Sequence, residues 1–335
     1  MARLLIFNPE HDYALANGSF YYRPPKSITL LAEQLRFVCA TWGDPGDLVL
    51  SPDNRFFQIS REGISEVDPG YNPRDIEEIS PWGWNPLLKH RLLSLGFTAS
   101  NMPNDEELRH IRRLSHRRIS IAFNEALHSP LIPKEFFSEE EAIQFAKQHP
   151  GCYFKLPWSS GGRGVVDTNE LNERQIRQWA HGALKKQNSI MAETPVDKKI
   201  VFASLWEIND GRPEYKGFSI SLSDGRGKYK GNIVAPQRAM QQYLQDISGE
   251  NIYAYLEKQS EFLRNEVAPF YYGSLGIDMM VDKNGLIFPC IELNLRKTMG
   301  HVALRYEQLP SVRKNHIKAI CPLPLLSLDY LSKHI

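Results

Sequence analysis

Apolar and polar residues alternate at period two along Gly276-Ile277-Asp278-Met279-Met280-Val281 and again along Ile291-Glu292-Leu293-Asn294-Leu295-Arg296, so both stretches predict β-strands. In the second, Ile291, Leu293 and Leu295 fall on one face and Glu292, Asn294 and Arg296 on the other. Between the two lies Asp282-Lys283-Asn284-Gly285, strong hairpin-turn chemistry. A plain two-residue Asn284-Gly285 turn would set Asp278 opposite Ile291. A loop of three or five residues, or a bulge at a left-handed Gly285, sets Asp278 opposite Glu292 on one face, and the odd loop is expected.

Elsewhere the pattern predicts a buried strand over Arg3–Phe7, broken by Asn8-Pro9-Glu10-His11-Asp12, and a helix over Tyr13–Asn17. Ser27–Cys39 reads as a helix and Asp47–Ser51 as a strand. Ser80–Pro86 forms a turn opening a helix to about Leu95, and Phe97 is expected to start another short strand. These elements make a small α/β domain. Asp105–Phe123 is expected to be one helix. Ser138–Gln148 is another, with Ser138 as cap and Glu141 three residues on. A strand over Cys152–Leu156 follows, then a loop of small residues, and strand resumes at Val165.

The chain's 335 residues suffice for two or three compact units. A formal net charge of +1 offers no global argument for nucleic acid or a membrane. Arg109, His110, Arg112, Arg113, His116, Arg117 and Arg118 form a basic run, read as a solvated face or a linker. Few aromatics are interleaved and no nucleic-acid motif accompanies it, so nucleic acid is not expected as a partner. No apolar stretch approaches a membrane span, and the apolar run at the N-terminus is too short for a signal peptide. Cys39, Cys152, Cys290 and Cys321 are far apart without a CxxC pair, so they are expected to be reduced, which suits a cytoplasmic protein.

A carboxylate, an amide and a guanidinium along one strand face are ill suited to a core and well suited to a metal–phosphate complex. Mg²⁺ takes oxygen ligands and keeps waters, so Asp278, Glu292 and Asn294 with phosphate oxygens suffice, while Arg296 offers a charged donor fork. The second candidate segment is Phe154-Lys155-Leu156-Pro157-Trp158-Ser159-Ser160-Gly161-Gly162-Arg163-Gly164. Its glycines let backbone N–H groups approach phosphate oxygens, and Lys155 stands just before them. It is neither a Walker A loop nor a dinucleotide fingerprint. Asn8, Glu10, His11 and Asp12, in the loop leaving the first strand, make a substrate-side cluster or a capped turn into the next helix. No Ser/His/Asp or Cys/His pattern for nucleophilic catalysis is recognisable.

Taken together, the lysine strand with its glycine loop, the acidic stretch Met191-Ala192-Glu193-Thr194-Pro195-Val196 and the paired strands Gly276–Asp278 and Glu292–Arg296 resemble the ATP-grasp superfamily, over about Ser115 to Arg305. The resemblance implies an α/β (α+β) ATP-grasp fold with a small N-terminal α/β domain (residues 1–114), a lid subdomain (115–192) and a C-terminal subdomain carrying the metal site (193–335). It implies that Lys155 contacts the α and β phosphates of ATP, beneath a lid of Ser160, Gly161, Gly162 and Gly164. Glu193, with backbone from Thr194 and Val196, would recognise adenine. Asp278, Glu292 and Asn294 would bind Mg²⁺, or alternatively Mn²⁺, and Arg296 would steady the γ-phosphate. The family's earlier phosphate-side lysine is replaced here by arginine, Arg117 or the adjacent Arg118, and Asp197 is the nearest match for the ribose-binding acid. Lys228 and Lys230, in the stretch Lys228–Asn232 expected to be a loop between strands close to the γ-phosphate, with Arg238, Lys297 and His301, are candidates for holding substrate, or surface charges and a helix-start histidine. The implied reaction joins a small-molecule or peptide carboxylate to an amine through an acyl phosphate. A phosphotransferase on the same scaffold and a non-catalytic nucleotide-binding protein are the alternatives.

Overall fold

Three sheets carry the chain in this computed structural model, which describes residues 2–67, 76–159, 161–223, 229–328 and 330. In the first, β1 (Ala2–Ile6) lies between β2 (Leu48–Leu50) and β5 (Ile76–Pro81), both parallel to it, with β3 (Phe56–Ile59) and β4 (Ile64–Glu66) continuing antiparallel beyond β2. Leu4, Leu5 and Ile6 are fully buried, as a central parallel strand covered on both faces requires. The chain moves from β1 to β2 on one side and returns as β5 on the other. The carboxyl end of β1 is therefore where the winding reverses and a crevice can open.

Helices α1 (His11–Asn17), α2 (Lys26–Gln34), α3 (Pro86–Ser94) and α4 (Asp105–Leu114) belong to this part of the chain. α3 begins as its sequence prescribes, with Pro86 in the first turn and the Asn85 side chain accepting from the Leu88 N–H. The helix expected to reach Cys39 stops at Gln34, and a 3₁₀ turn spans Val38–Thr41. Phe97 joins no strand and packs instead in the core with Leu88 and Leu92.

The helix expected over Asp105–Phe123 is broken: α4 ends at Leu114 and α5 (Ile119–Ala126) starts afresh. Its donors and acceptors are drawn out of the helical ladder. The Arg117 N–H donates to Pro157 O at 3.1 Å, and the Arg118 N–H donates to the His116 ring at 3.0 Å. The break turns Arg117 inward. Arg117 is therefore buried, not part of a solvated basic face.

A second, antiparallel sheet runs in the order β6 (Lys134–Phe136), β9 (Ile190–Glu193), β7 (Tyr153–Lys155), β8 (Val165–Asp167). Helices α6 (Glu139–Gln148) and α7 (Glu173–Gln187) share its core through Ala142, Phe145, Ala180 and Ala183. Ser138 caps α6 by accepting from the Glu141 N–H, as expected.

The third sheet comprises β10 (Lys198–Asn209), β11 (Arg212–Ser223), β12 (Tyr229–Val234), β13 (Gly273–Asp282), β14 (Ile287–Asn294) and β15 (Leu325–Ser327), ordered β14-β13-β10-β11-β12-β15. Phe202, Trp206, Phe218, Ile277 and Met279 form its main core with residues of α8 (Gln237–Ser248) and α9 (Ile252–Phe262). The other face carries small residues, Ala203, Gly217 and Ser219, and α10 (Met299–Gln308) lies close upon them. A Cβ at Gly300 would fall 2.8 Å from that of Ser219. Val302 of α10 and Ile317 of α11 (Ser311–Ile320) pack with Leu5, Phe7 and Trp82, so the late chain closes on the first sheet. No described helix is long and apolar enough to cross a membrane.

Candidate active site

The β13–β14 hairpin has a three-residue loop, Lys283–Gly285: the Asp282 N–H donates to Leu286 O at 3.1 Å, and Gly285 takes φ 88°. With Val281 opposite Ile287 and Met280 opposite Phe288, that loop alone would set Asp278 across from Cys290. An irregularity around Pro289 advances the register by two residues, so Asp278 faces Glu292 and Gly276 faces Asn294. The same irregularity overturns the expected place of Ile291. Leu293 and Leu295 enter the main core, whereas Ile291 packs with Leu131, Val196, Met280 and Phe288.

Asp278 faces Glu292 and keeps part of its surface exposed. Burial, and then the Glu292 charge, push its carboxyl up to about 7, against the pull of Arg296, Asn294 and Arg117. Two facing carboxylates, one driven towards protonation, are a donor set suited to a hard divalent cation. Among the described residues no group of three or more His, Cys, Asp or Glu side chains is placed for a metal. Further ligands must then be amide, phosphate or water oxygens. Asn294 donates to Asp278 at 3.1 Å and accepts from Arg296 at 3.0 Å, so its amide would have to turn to offer oxygen to a cation.

Arg117 bridges two sheets. It pairs with Glu292 at 2.7 Å, and it donates to Leu156 O at 2.5 Å and to Ser159 Oγ at 2.7 Å. Lys155 and Glu193, on adjacent strands, pair at 2.5 Å, both nearly buried. The buried Cys290 thiol registers the convergence. Burial raises its pKa first, then Asp278, Glu193 and Glu292, with Lys155 opposing. Arg118, the other arginine candidate, points to Glu135, donating at 2.8 and 2.6 Å.

Gly161, Gly162 and Gly164 all have positive φ, 62°, 74° and 80°, which explains glycine at each. Arg163 from this loop donates to Ser27 Oγ at 3.3 Å, tying it to the start of α2. Thr194 and Val196 lie in the link from β9 to β10, and Val196 faces the apolar cluster with Ile291. Asp197 pairs with Lys283 at 2.8 Å on the surface. Ser160 and Lys228 lie outside the described residues. Ser159, one of the two serines of this loop, accepts from Arg117.

The substrate candidates fare differently. Tyr229 and Lys230 begin β12 and are not in a loop; three strand spacings, roughly 14 Å along the sheet, separate β12 from β13. Lys230 is exposed there, and Arg238 is exposed in the first turn of α8. Lys297 is pinned to the first sheet, its N–H on Trp82 O at 2.7 Å and its ammonium on Ser80 Oγ and Pro81 O, both at 3.2 Å. His301 accepts from the Thr298 N–H at 3.1 Å within a capping box, and burial, then Lys297, drive its pKa down to about 3. It is a helix-start histidine. Of the Asn8–Asp12 cluster, Asp12, in the first turn of α1, pairs with Arg296 just beyond β14 at 2.9 Å.

Neither a family model nor a curated protein matches the chain. Solved structures do. A biotin carboxylase from Campylobacter jejuni aligns with TM-score 0.54 at 13% identity, over 94% of this chain and 70% of its own. An N5-carboxyaminoimidazole synthetase from Staphylococcus aureus, complexed with ADP, aligns with TM-score 0.51 at 13% identity, over 95% and 77%. An N5-carboxyaminoimidazole ribonucleotide synthetase, also an ADP complex, aligns with TM-score 0.51 at 15% identity, over 97% and 78%. These are ATP-grasp enzymes, and this chain has the ATP-grasp fold.

Proposed function

We propose that the protein is an ATP- and magnesium-dependent ligase that joins a carboxylate to an amine. The carboxylate attacks the γ-phosphate of ATP, breaking its bond to the bridging oxygen and giving an acyl phosphate and ADP. The amine then displaces phosphate and releases a proton. What carries this reading is the meeting of Asp278, Glu292, Arg117 and Lys155, from three segments of the chain, at one place.

Magnesium, or manganese, would neutralise phosphate charge there; Asp278 and Glu292, with Asn294 after its amide turns, would hold it. Lys155 would release Glu193 and Arg117 would release Glu292 to meet phosphate oxygens. Gly161, Gly162 and Gly164 would present backbone N–H groups over them. The buried carboxylate of Glu193, with backbone of Thr194 and Val196, would take the adenine edge, and the apolar Val196–Ile291 cluster its face. Arg296 would hold the γ-phosphate. Catalysis of this kind needs alignment and charge neutralisation and no protein nucleophile. The structural neighbours named above include two ADP complexes, which supports the nucleotide part of the reading.

Thermal unfolding with Mg²⁺ and ATP, ADP, GTP or no nucleotide tests it. A nucleotide at a hundred times its dissociation constant stabilises by about 2.7 kcal/mol. At about 2.1 cal/mol/K per residue this raises the midpoint by about 4 °C for a chain of this length. No shift with any nucleotide would remove the reading. Glu292→Gln is expected to keep the fold and lose ADP production; ADP released without need of an amine would favour phosphotransfer.

A further inference from the structure

We propose that Asp12 is a positioning residue for Arg296, so that the start of α1, just beyond β1, aims the guanidinium that follows β14 at the terminal phosphate. The inference rests on the nucleotide reading above and adds a role for the start of α1.

Asp12 and Arg296 are 284 positions apart, yet pair at 2.9 Å with side chains only 14% and 10% exposed. The carboxylate takes the Nε edge of the guanidinium. Nη2 donates to Asn294 Oδ1 at 3.0 Å, and Nη1 donates to Lys297 O at 3.2 Å. The turn that leads into α1, and so places Asp12, is itself clamped. Asn8, buried at the end of β1, donates to Gly83 O at 2.9 Å and accepts from the Gly83 N–H at 3.3 Å. Gly83 fills the remaining space: a Cβ there would fall 2.6 Å from the His11 ring and 2.8 Å from Arg296 Cβ. The Lys297 N–H on Trp82 O ties the Trp82–Gly83 segment, on which Asn8 rests, to the stretch that carries Arg296.

An arginine side chain has much rotamer freedom to lose, and a donor fork helps phosphoryl transfer most when already aimed where charge develops. A buried carboxylate just beyond a clamped turn supplies that aim. It also makes closure of the N-terminal part against the catalytic strand a condition for binding the terminal phosphate.

The test is calorimetric titration with Mg·ADP and with Mg·AMPPNP, the imido analogue of ATP that keeps a third phosphate. Wild type should prefer AMPPNP, and Arg296→Gln should lose that preference. Asp12→Asn should bind ADP within about twofold of wild type while its preference for AMPPNP falls about tenfold, the scale of one charge-assisted hydrogen bond. Added to Arg296→Gln, Asp12→Asn should change the preference by less than about twofold, because the two act through one group. A staple that merely holds two parts together would instead give additive losses. Asp12→Asn that retains the AMPPNP preference, or additive losses in the double variant, overturns the role of Asp12 alone. A wild type that binds neither nucleotide overturns the functional reading as well.

Discussion

Asp278→Asn is expected to make the ligand-free protein more stable while removing its response to magnesium. The wild-type carboxyl, pushed up to about 7 by burial and by Glu292, stands about three units above the ordinary value of 3.8. Below about pH 4 folded and unfolded chains both carry the proton, and the group costs nothing. Between about pH 4 and 7 the unfolded chain releases a proton that the folded chain retains, so stability falls as pH rises, and above about pH 7 the loss is complete. Three units at about 1.4 kcal/mol each amount to about 4 kcal/mol. The partial exposure of Asp278 discounts this to about 2 kcal/mol. Asparagine keeps the shape and cannot ionise. The variant should therefore melt about 3 °C above wild type near pH 8, taking about 2.1 cal/mol/K per residue, and match it near pH 4. The assay is scanning calorimetry across that range without divalent ions, repeated with magnesium. Magnesium should close the gap near pH 8 by stabilising wild type and leave the variant where it was. A variant less stable than wild type near pH 8, a gap that persists near pH 4, or an equal magnesium effect on both chains would refute the reasoning.

Arg117→Gln should cost about 3 kcal/mol in denaturant unfolding at neutral pH, because it strands Glu292 without its 2.7 Å partner and empties the bonds to Leu156 and Ser159. Magnesium alone should return part of that loss in the variant, and a variant indifferent to magnesium would argue against Glu292 as a ligand. Gly83→Ala should cost about 1–3 kcal/mol in the same measurement, since its methyl must displace the His11 ring or the stem of Arg296. Unchanged stability there would mean that the clamp on the catalytic strand is looser than its distances indicate.

The hairpin that carries the site was legible because its information is local. Period two sorts Glu292, Asn294 and Arg296 from Leu293 and Leu295, and the turn chemistry of Asn284-Gly285 fixes where the chain reverses. The fine register was not, because the three-residue loop taken alone pairs Asp278 with Cys290, and only the irregularity at Pro289 brings Glu292 across. The fold class followed from the order of the lysine strand, glycine loop and acidic strand pair, and solved structures at only 13–15% identity share the fold. Charges were harder. Arg112, Arg113, Arg117 and Arg118 look alike along the chain, and the sequence pattern favours one helix through all of them. The family resemblance favoured Arg117 by its place in the chain, and the partners that hold it lie 39, 42 and 175 positions away. Conversely, Lys297 and His301 sit just after β14 in sequence, yet a carbonyl of β5 and a helix cap claim them. A charged residue's role is set by which unpaired group waits at the end of its side chain, and that group is as often supplied by a distant segment as by a neighbour. Asp12 makes the point most sharply: its spacing suggests a helix start, and its 2.9 Å bond to Arg296 makes it part of the catalytic strand's surroundings.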